Sequence, residues 1–477
     1  MTDRVYPAKA VKLPIECAWR MSQALFMRGR GNSWWETSRT TNLQGHVCLL
    51  QSGMVAFWYH VSISREKGLF MKVLMINHFP LEGSGSGTYT KNLAMLLAKL
   101  GHDVCVILPE NTVDFPRYEG VRMHPVYFTN TDAGSAAPVE GALPFNFPCF
   151  TTHPVSTMAF DGLDEAQMES YLAAFKAAIE EEVRDFAPDV VHGQHVWALS
   201  SLAAGCGVPL VLTAHGTDLM GYDKWPSMRH FAEVAMDACE KVICISADNE
   251  LLVRSAFPQH ANKIVRMRNG YNADIFYPQK LDRSEVLGRY GVPYAGEDIV
   301  LFAGKMTRFK GVDVLLDAVA SYERERPNVM TVLAGDGEER PALEAQAARL
   351  GLSHVHFIGN VAQDELARLY NIADVDLVPS RREPFGLVAV EAMACGTPVV
   401  ATNQGGLPDF VNESVGKLVN PEDALDLARG VKATLDRALP NPAWRTQVAA
   451  YARQNYSQET IIDKIVELYR SCGPARS

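Results

Sequence analysis

The sequence predicts an α/β protein made of two doubly wound, parallel-sheet domains. Three observations lead there. From residue 71 onward, short apolar runs alternate with amphipathic stretches of helical period, the pattern of strand–helix–strand units. The alternation breaks over 277–297 and then resumes, leaving two series of similar length on either side of a linker. At 477 residues, 47% hydrophobic and 21% charged, the chain has the length and composition for two ordinary globular cores.

The first series opens with the strand "KVLMIN" (72–77), the glycine-rich loop "EGSGSGT" (82–88), a helix over 89–101 and the strand "DVCVIL" (103–108). Residues 111–165 are rich in Pro, Gly and aromatic residues without a clear period, which suits a substrate-facing loop. Alternation resumes with a helix over 165–186, "DVVHGQ" (189–194), a helix over 197–205, "PLVLTAH" (209–215) and a helix over 228–239. The strands "KVICIS" (241–246) and "KIVRMRNG" (263–270) close this unit. The second series runs "DIVLFAG" (298–304), a helix over 311–326, "VMTVLAG" (329–335), a helix over 339–350 and "VHFIG" (355–359). A helix over 363–372, "VDLVPS" (375–380), a helix starting near Phe385 and "PVVAT" (398–402) follow, and the chain ends in the helix "SQETIIDKIVELYRS" (457–471).

Net charge of −10 argues against nucleic acid or a bare anionic membrane as the main partner. Nine cysteines without a C-x-x-C pair indicate neither a zinc ribbon nor a disulfide framework, and fit a reducing compartment. The first 70 residues differ from the rest: they hold four of the seven tryptophans and nine Lys/Arg against four Asp/Glu, which leaves the other 407 residues at −15. The apolar run over 46–63 is broken by Gln51, Ser52, Gly53 and His60 and is short for ~30 Å of hydrocarbon. It lies too far from Met1 for a signal peptide. Residues 1–70 are therefore expected to be an extension outside the fold, with Met71 as the true start; a membrane-associating arm is the rival reading.

Four features carry chemistry. The loop over 83–88 invites a dinucleotide reading, but the third glycine of G-x-G-x-x-G is missing; its amides and the helix after it can still approach an anion or a sugar. "GKMTRFKG" (304–311) puts Lys305 and Lys310 around a turn directly after a strand, at the carboxyl edge where open α/β sheets bind ligands, and two cations there suit a diphosphate. Arg308 reads as a solvated loop residue, the bland alternative for any single one of these cations. His215 also follows a strand, and alone reads as structural. In "SRREPFGLVAVEAMACGTPVVAT" (380–402), Glu383 precedes an apolar helix and Glu391 lies eight residues further, slightly over two turns at ~3.6 residues per turn. Asp374 and Asp376 form a D-x-D pair, but alternation places both on one strand face with no third ligand, so no metal site is expected.

Together, "GKMTRFKG", "EPFGLVAVEAMACGTPVVAT" with "NQGGLPD", "TAHGTD", "RNGYNADIF" and "GSGSGTYTKNLA" resemble the retaining glycosyltransferases of family four, with the GT-B fold of two Rossmann-like domains facing a central cleft. The resemblance runs from Met71 to the C-terminus and implies an acceptor-side domain over 71–277, a nucleotide-sugar domain over 278–452 and a helix over 453–477 crossing back to the first domain. It implies that Lys305 and Lys310 meet the donor diphosphate and that Glu383 holds the donor sugar. Phe385, Gly386 and Leu387 would contact sugar and phosphate through their backbone, and Glu391 would grip the ribose hydroxyls. His215 would reach the sugar from the opposite domain, Gly85 would line the cleft, and Gly359, Asn360 and Val361 would frame the base. Lys305 in place of Arg, Asn272 in place of Asp and Asp409 in place of Glu are departures.

The implied function is transfer of a sugar from a nucleoside diphosphate sugar to a hydroxyl acceptor on a glycan, lipid-linked or small molecule. No cofactor and no metal are expected, and no nucleic acid. The expected location is the cytoplasm, with peripheral contact at the inner membrane face admitted. A non-catalytic nucleotide-sugar-binding protein and a sugar-nucleotide epimerase are the alternatives, and a phosphorylase lacks a motif for its pyridoxal-phosphate lysine.

Overall fold

Apolar runs of four to eight residues, rich in Val, Ile and Leu, form strands buried on both faces when helices cover each side. The computed structural model describes residues 70–131, 139–151 and 153–473; the expectation for 1–70 lies outside these apart from Phe70. In the first sheet β1 (Lys72–Ile76), β2 (Asp103–Glu110), β3 (Val121–Tyr127), β4 (Val190–Gln194), β5 (Leu210–Ala214), β6 (Lys241–Cys244) and β7 (Ile264–Arg266) run parallel in the order β3-β2-β1-β4-β5-β6-β7. The second holds β8 (Asp298–Ala303), β9 (Val329–Ala334), β10 (Val355–Gly359), β11 (Val375–Val378), β12 (Val399–Thr402) and β13 (Gly416–Val419), parallel in the order β10-β9-β8-β11-β12-β13. These are two Rossmann-like sheets, each with a switch point where the strand order reverses: β1 beside β4, and β8 beside β11.

Around the first sheet lie α1 (Gly85–Lys99), α2 (Glu165–Asp185), α3 (Ala198–Leu202), α4 (Thr217–Lys224), α5 (Arg229–Ala238) and α6 (Ala247–Ala256). Around the second lie α7 (Arg283–Gly288), α8 (Val312–Glu325), α9 (Arg340–Leu350), α10 (Gln363–Ile372), α11 (Leu387–Ala394), α12 (Ala424–Ala438) and α13 (Pro442–Tyr456). The last helix, α14 (Gln458–Cys472), buries Ile461, Ile462, Ile465 and Tyr469 against Val73, Met75 and Val211 of the first sheet. Tyr469 Oη also meets His192 Nδ1 at 2.7 Å.

Several boundaries differ from the sequence pattern. α1 begins at Gly85 rather than Tyr89, because the Ser84 hydroxyl accepts from Gly87 N and starts the helix one turn early. α11 begins at Leu387 rather than Phe385, because Gly386 sits at φ +99°, outside the right-handed helix. The region 111–165 contains β3, and the linker over 277–297 contains α7. The turn to the last helix falls at Ser457 rather than at 453: its extended backbone (ψ 145°) separates α13 from α14, and Tyr271 N and Gln458 N clamp it through bonds to Tyr456 O (2.9 Å) and Tyr271 O (3.1 Å). The chain thus returns to the first domain beside the point where it left.

Candidate active site

The loops that end β8 and β11 meet at the second switch point. Arg381 N donates to Phe309 O at 2.8 Å, and Arg381 also pairs with Asp313 (2.7 Å) at the start of α8. A Cβ at Gly311, where φ is +66°, would lie 2.1 Å from Pro379 O, so only glycine permits this approach. The contact brings Lys310 Nζ to 2.6 Å from Glu383 Oε2, an oxygen that also accepts from Ser380 Oγ at 3.1 Å. Glu383 is buried, and its main-chain carbonyl accepts from Gly406 N at 2.9 Å, which ties the "NQGG" turn to it.

Directly after Glu383, α11 starts without a side-chain cap. Its first main-chain N–H groups lie at the positive end of the helix with no side chain capping them, a setting for a phosphate. Phe385, packed on Phe410 with ring centroids 5.4 Å apart, anchors the turn that aims them. Lys305, at the start of the same β8 loop as Lys310, is half-buried, and burial lowers its pKa against the opposing pull of Glu338. Arg308 is exposed, as the sequence suggests.

Glu391 sits two turns along α11 and is only 4% exposed. Burial raises its pKa to about 8, while Lys91 of the other domain opposes the shift. Gly359 ends β10 at φ +78° with its carbonyl bonded to Gly335 N (2.7 Å), Asn360 is exposed and Val361 is partly buried just ahead of α10. Asp374 is engaged in an ion pair with Arg283 (2.5 Å) and accepts from Ile299 N (2.9 Å), whereas Asp376 points into the core. Among the described residues, no three His, Cys, Asp or Glu gather as metal ligands.

The first domain offers its own switch point to these groups. His215 ends β5, buried, with Nε2 donating to Gln194 Oε1 at 3.0 Å; burial and the neighbouring His192 and His78 lower its pKa to about 3, so the ring is neutral. Its Nδ1 can then accept from a hydroxyl. Asp218 fixes the turn by accepting from Gly216 N (2.8 Å) and Leu219 N (3.1 Å), and joins it to the β4 loop through Val196 N (2.8 Å). That turn packs on the Glu383 loop: a Cβ at Gly216 would touch the Pro384 ring at 3.0 Å. Gly85 opens α1 with free space around it. The structure thus gathers Lys305, Lys310, Glu383, the α11 N-terminus and His215 near the two switch points, with Glu391 and the 359–361 loop further along the second domain.

Sequence pattern missed several contributors. Lys91 on α1 bonds Glu82 (3.0 and 3.2 Å) and, across to the second domain, Gln363 (3.1 Å). His153, from the long loop, stacks on Phe79, bonds Glu82 O at 3.1 Å and has its pKa lowered to about 4 by burial, with Lys305 adding to the shift. Asp409 Oδ2 accepts from Ala247 N at 2.7 Å, capping α6 of the opposite domain. The signal for Lys91 was a cation in the middle of an apolar helix, Asp409 stood out only as a departure from the family pattern, and His153 carried none.

Comparison with known proteins followed the same two units. Residues 84–270 match the model "Glycosyl transferase 4-like domain" and residues 291–455 match "Glycosyl transferases group 1". A D-inositol 3-phosphate glycosyltransferase of Geodermatophilus obscurus is 33% identical over 357 residues, covering 68% of this chain and 76% of its own. Among solved structures, the sucrose-phosphate synthase of Thermosynechococcus elongatus superposes with a TM-score of 0.65 at 23% identity, covering 84% of this chain and 98% of its own. Anabaena HepE in complex with UDP and glucose gives 0.63 at 23% identity, covering 84% and 100%.

Proposed function

This chain belongs to the glycosyl transferases group 1 family and is a glycosyltransferase, and from there we propose that it moves a sugar from a nucleoside diphosphate donor to a hydroxyl acceptor, retaining the anomeric configuration. The observation that carries the reading is the convergence of Lys310 and Glu383 on the uncapped start of α11, with Lys305 at the start of the same β8 loop as Lys310. The leaving diphosphate gains negative charge as its bond to the sugar C1 breaks, and preorganised cations and amides aimed at that charge lower the barrier. The acceptor oxygen bonds to C1 on the same face, and its proton passes to the departing diphosphate oxygen. Glu383 takes sugar hydroxyls, His215 Nδ1 accepts another from the opposite domain, and Glu391 accepts from the ribose diol, a charge-assisted pair. No cofactor enters this scheme, and the lysines and helix terminus take the place of a metal ion. HepE in complex with UDP makes uridine donors the first to try.

We place the enzyme in the cytoplasm, with peripheral membrane contact for a lipid-linked acceptor; among the described residues no helix is long and apolar enough to cross a membrane. The test is release of nucleoside diphosphate and transfer of sugar from UDP-, GDP- and ADP-sugars, with and without EDTA. Transfer that survives EDTA and falls ~10²–10³-fold in Lys310→Ala supports the scheme. Activity lost in EDTA and restored by Mn²⁺, or a near-normal Lys310→Ala enzyme, overturns it.

A further inference from the structure

Lys91 joins the two domains through a single side chain. It is 7% exposed on α1 of the first domain, and lysines are rarely so buried unless paired. Its ammonium is held by both oxygens of Glu82, itself half-exposed, and by Gln363 Oε1. Gln363 is the first residue of α10, two positions after Val361, so the bond crosses from the first domain to the loop read as framing the base. The charge of the same ammonium also acts on Glu391.

We propose that Lys91 is a positioning residue supplied by the acceptor-side domain: it clasps the cleft shut over the nucleoside end of the donor through Gln363, and it favours the carboxylate form of Glu391 that the ribose diol needs. The proposal rests on the donor reading of Glu391 given above.

The charges around Glu391 support it. Asp376 on β11 is a second buried acid, and Tyr370 on α10 and Cys395 at the end of α11 are further acidic groups within its field. Arg445 of α13 acts on Cys395 and is spent on the carbonyls of Ala373 (2.6 Å) and Asn371 (3.3 Å). Among the described residues, Lys91 is the one cation that pulls on Glu391, and it comes from the other domain. A carboxylate accepts both ribose hydroxyls, whereas the protonated acid surrenders part of that capacity. Domain closure, loss of the Glu391 proton and donor binding are then linked, each favouring the others.

Calorimetric titration of UDP, GDP and ADP into the full chain, between about pH 6 and pH 9, tests this. In wild type, affinity should rise with pH and level off above the Glu391 pKa of about 8. Lys91→Met should weaken binding by about tenfold at neutral pH and move the plateau to higher pH, since one unit of pKa is a tenfold change. Gln363→Ala, which cuts the clasp and leaves the charge, should weaken binding evenly at every pH. Lys91→Gln serves if Lys91→Met does not fold, and should show the same displaced profile. A wild-type profile retained in the Lys91 variants overturns the proposal while leaving the donor reading intact. If wild type binds none of the three nucleotides, both fall.

Discussion

Asp376 should be a costly residue, and removing it should stabilise the protein. It lies on β11 between Leu301 and Val399 of the adjacent strands, fully buried. Neither carboxyl oxygen has a hydrogen-bond partner among the described residues, and the nearby Tyr370 hydroxyl is equally unpartnered. Burial drives its pKa well above the usual carboxylate range, the charge of Glu391 adds to the rise, and only the Leu377 N–H pulls weakly the other way. An unsatisfied buried polar group costs ~1–3 kcal/mol, and holding the proton above the unfolded-state pKa adds to it, so Asp376→Val, which fits the apolar surroundings, should gain at least that much at neutral pH. At ~2–4 °C per kcal/mol for a domain of this size, the melting temperature should rise by several degrees. The pH dependence gives a second handle. Below the unfolded-state pKa of ~3.9 both states hold the proton and nothing is lost. As pH rises past it, the unfolded chain releases the proton and the folded one does not, so stability falls by ~1.4 kcal/mol per pH unit until the raised folded pKa is reached. Asp376→Asn, isosteric and unable to titrate, should remove that slope while keeping the unpaired polar group. Thermal melts of the three proteins between about pH 5 and pH 8 read both effects. A less stable Asp376→Val protein, or an Asp376→Asn protein with the wild-type slope, refutes the reasoning.

Gly311→Ala should be among the most damaging single-methyl additions, because its Cβ would sit 2.1 Å from Pro379 O at a positive φ; a melting temperature and donor affinity close to wild type would contradict the joined-loop geometry. Glu391→Ala should raise the donor KM about tenfold or more with little change in kcat, while Glu383→Ala should lower kcat, since ribose contacts act alike in ground and transition states and sugar contacts tighten as charge develops. Steady-state kinetics with the opposite split would reassign the two carboxylates. A chain begun at Met71 should melt and bind donor like the full chain, because residues 70–477 form one compact unit whose first strand begins at Lys72; loss of folding or binding on truncation would show that the first residues serve the fold.

Residues that follow strands were readable. Lys305, Lys310, Glu383 and His215 all stand at carboxyl ends of parallel strands, where strand–helix alternation alone places a ligand edge. The elements over 403–456 were not: the sequence pattern marks none there, yet β13, α12 and α13 occupy it, because β13 is a four-residue strand whose existence depends on pairing with β12. Helix starts at Gly85 and Leu387 were misplaced for a related reason, since a cap hydroxyl and a left-handed glycine act through local geometry that apolar periodicity does not record.

By itself the sequence determined the class of fold, the two units, the linker and the groups that end each strand, because these follow from local pattern: period, turn residues and the order of elements. Tertiary structure decided how the groups act. That Lys310 pairs with Glu383, that Asp409 caps a helix of the other domain and that Lys91 reaches Gln363 are facts about residues 73, 162 and 272 positions apart. Which atoms lose their water is settled only when helices and neighbouring strands cover each sheet; that desolvation raises Glu391 and lowers His215, and Asp376 is left without a partner among the described residues.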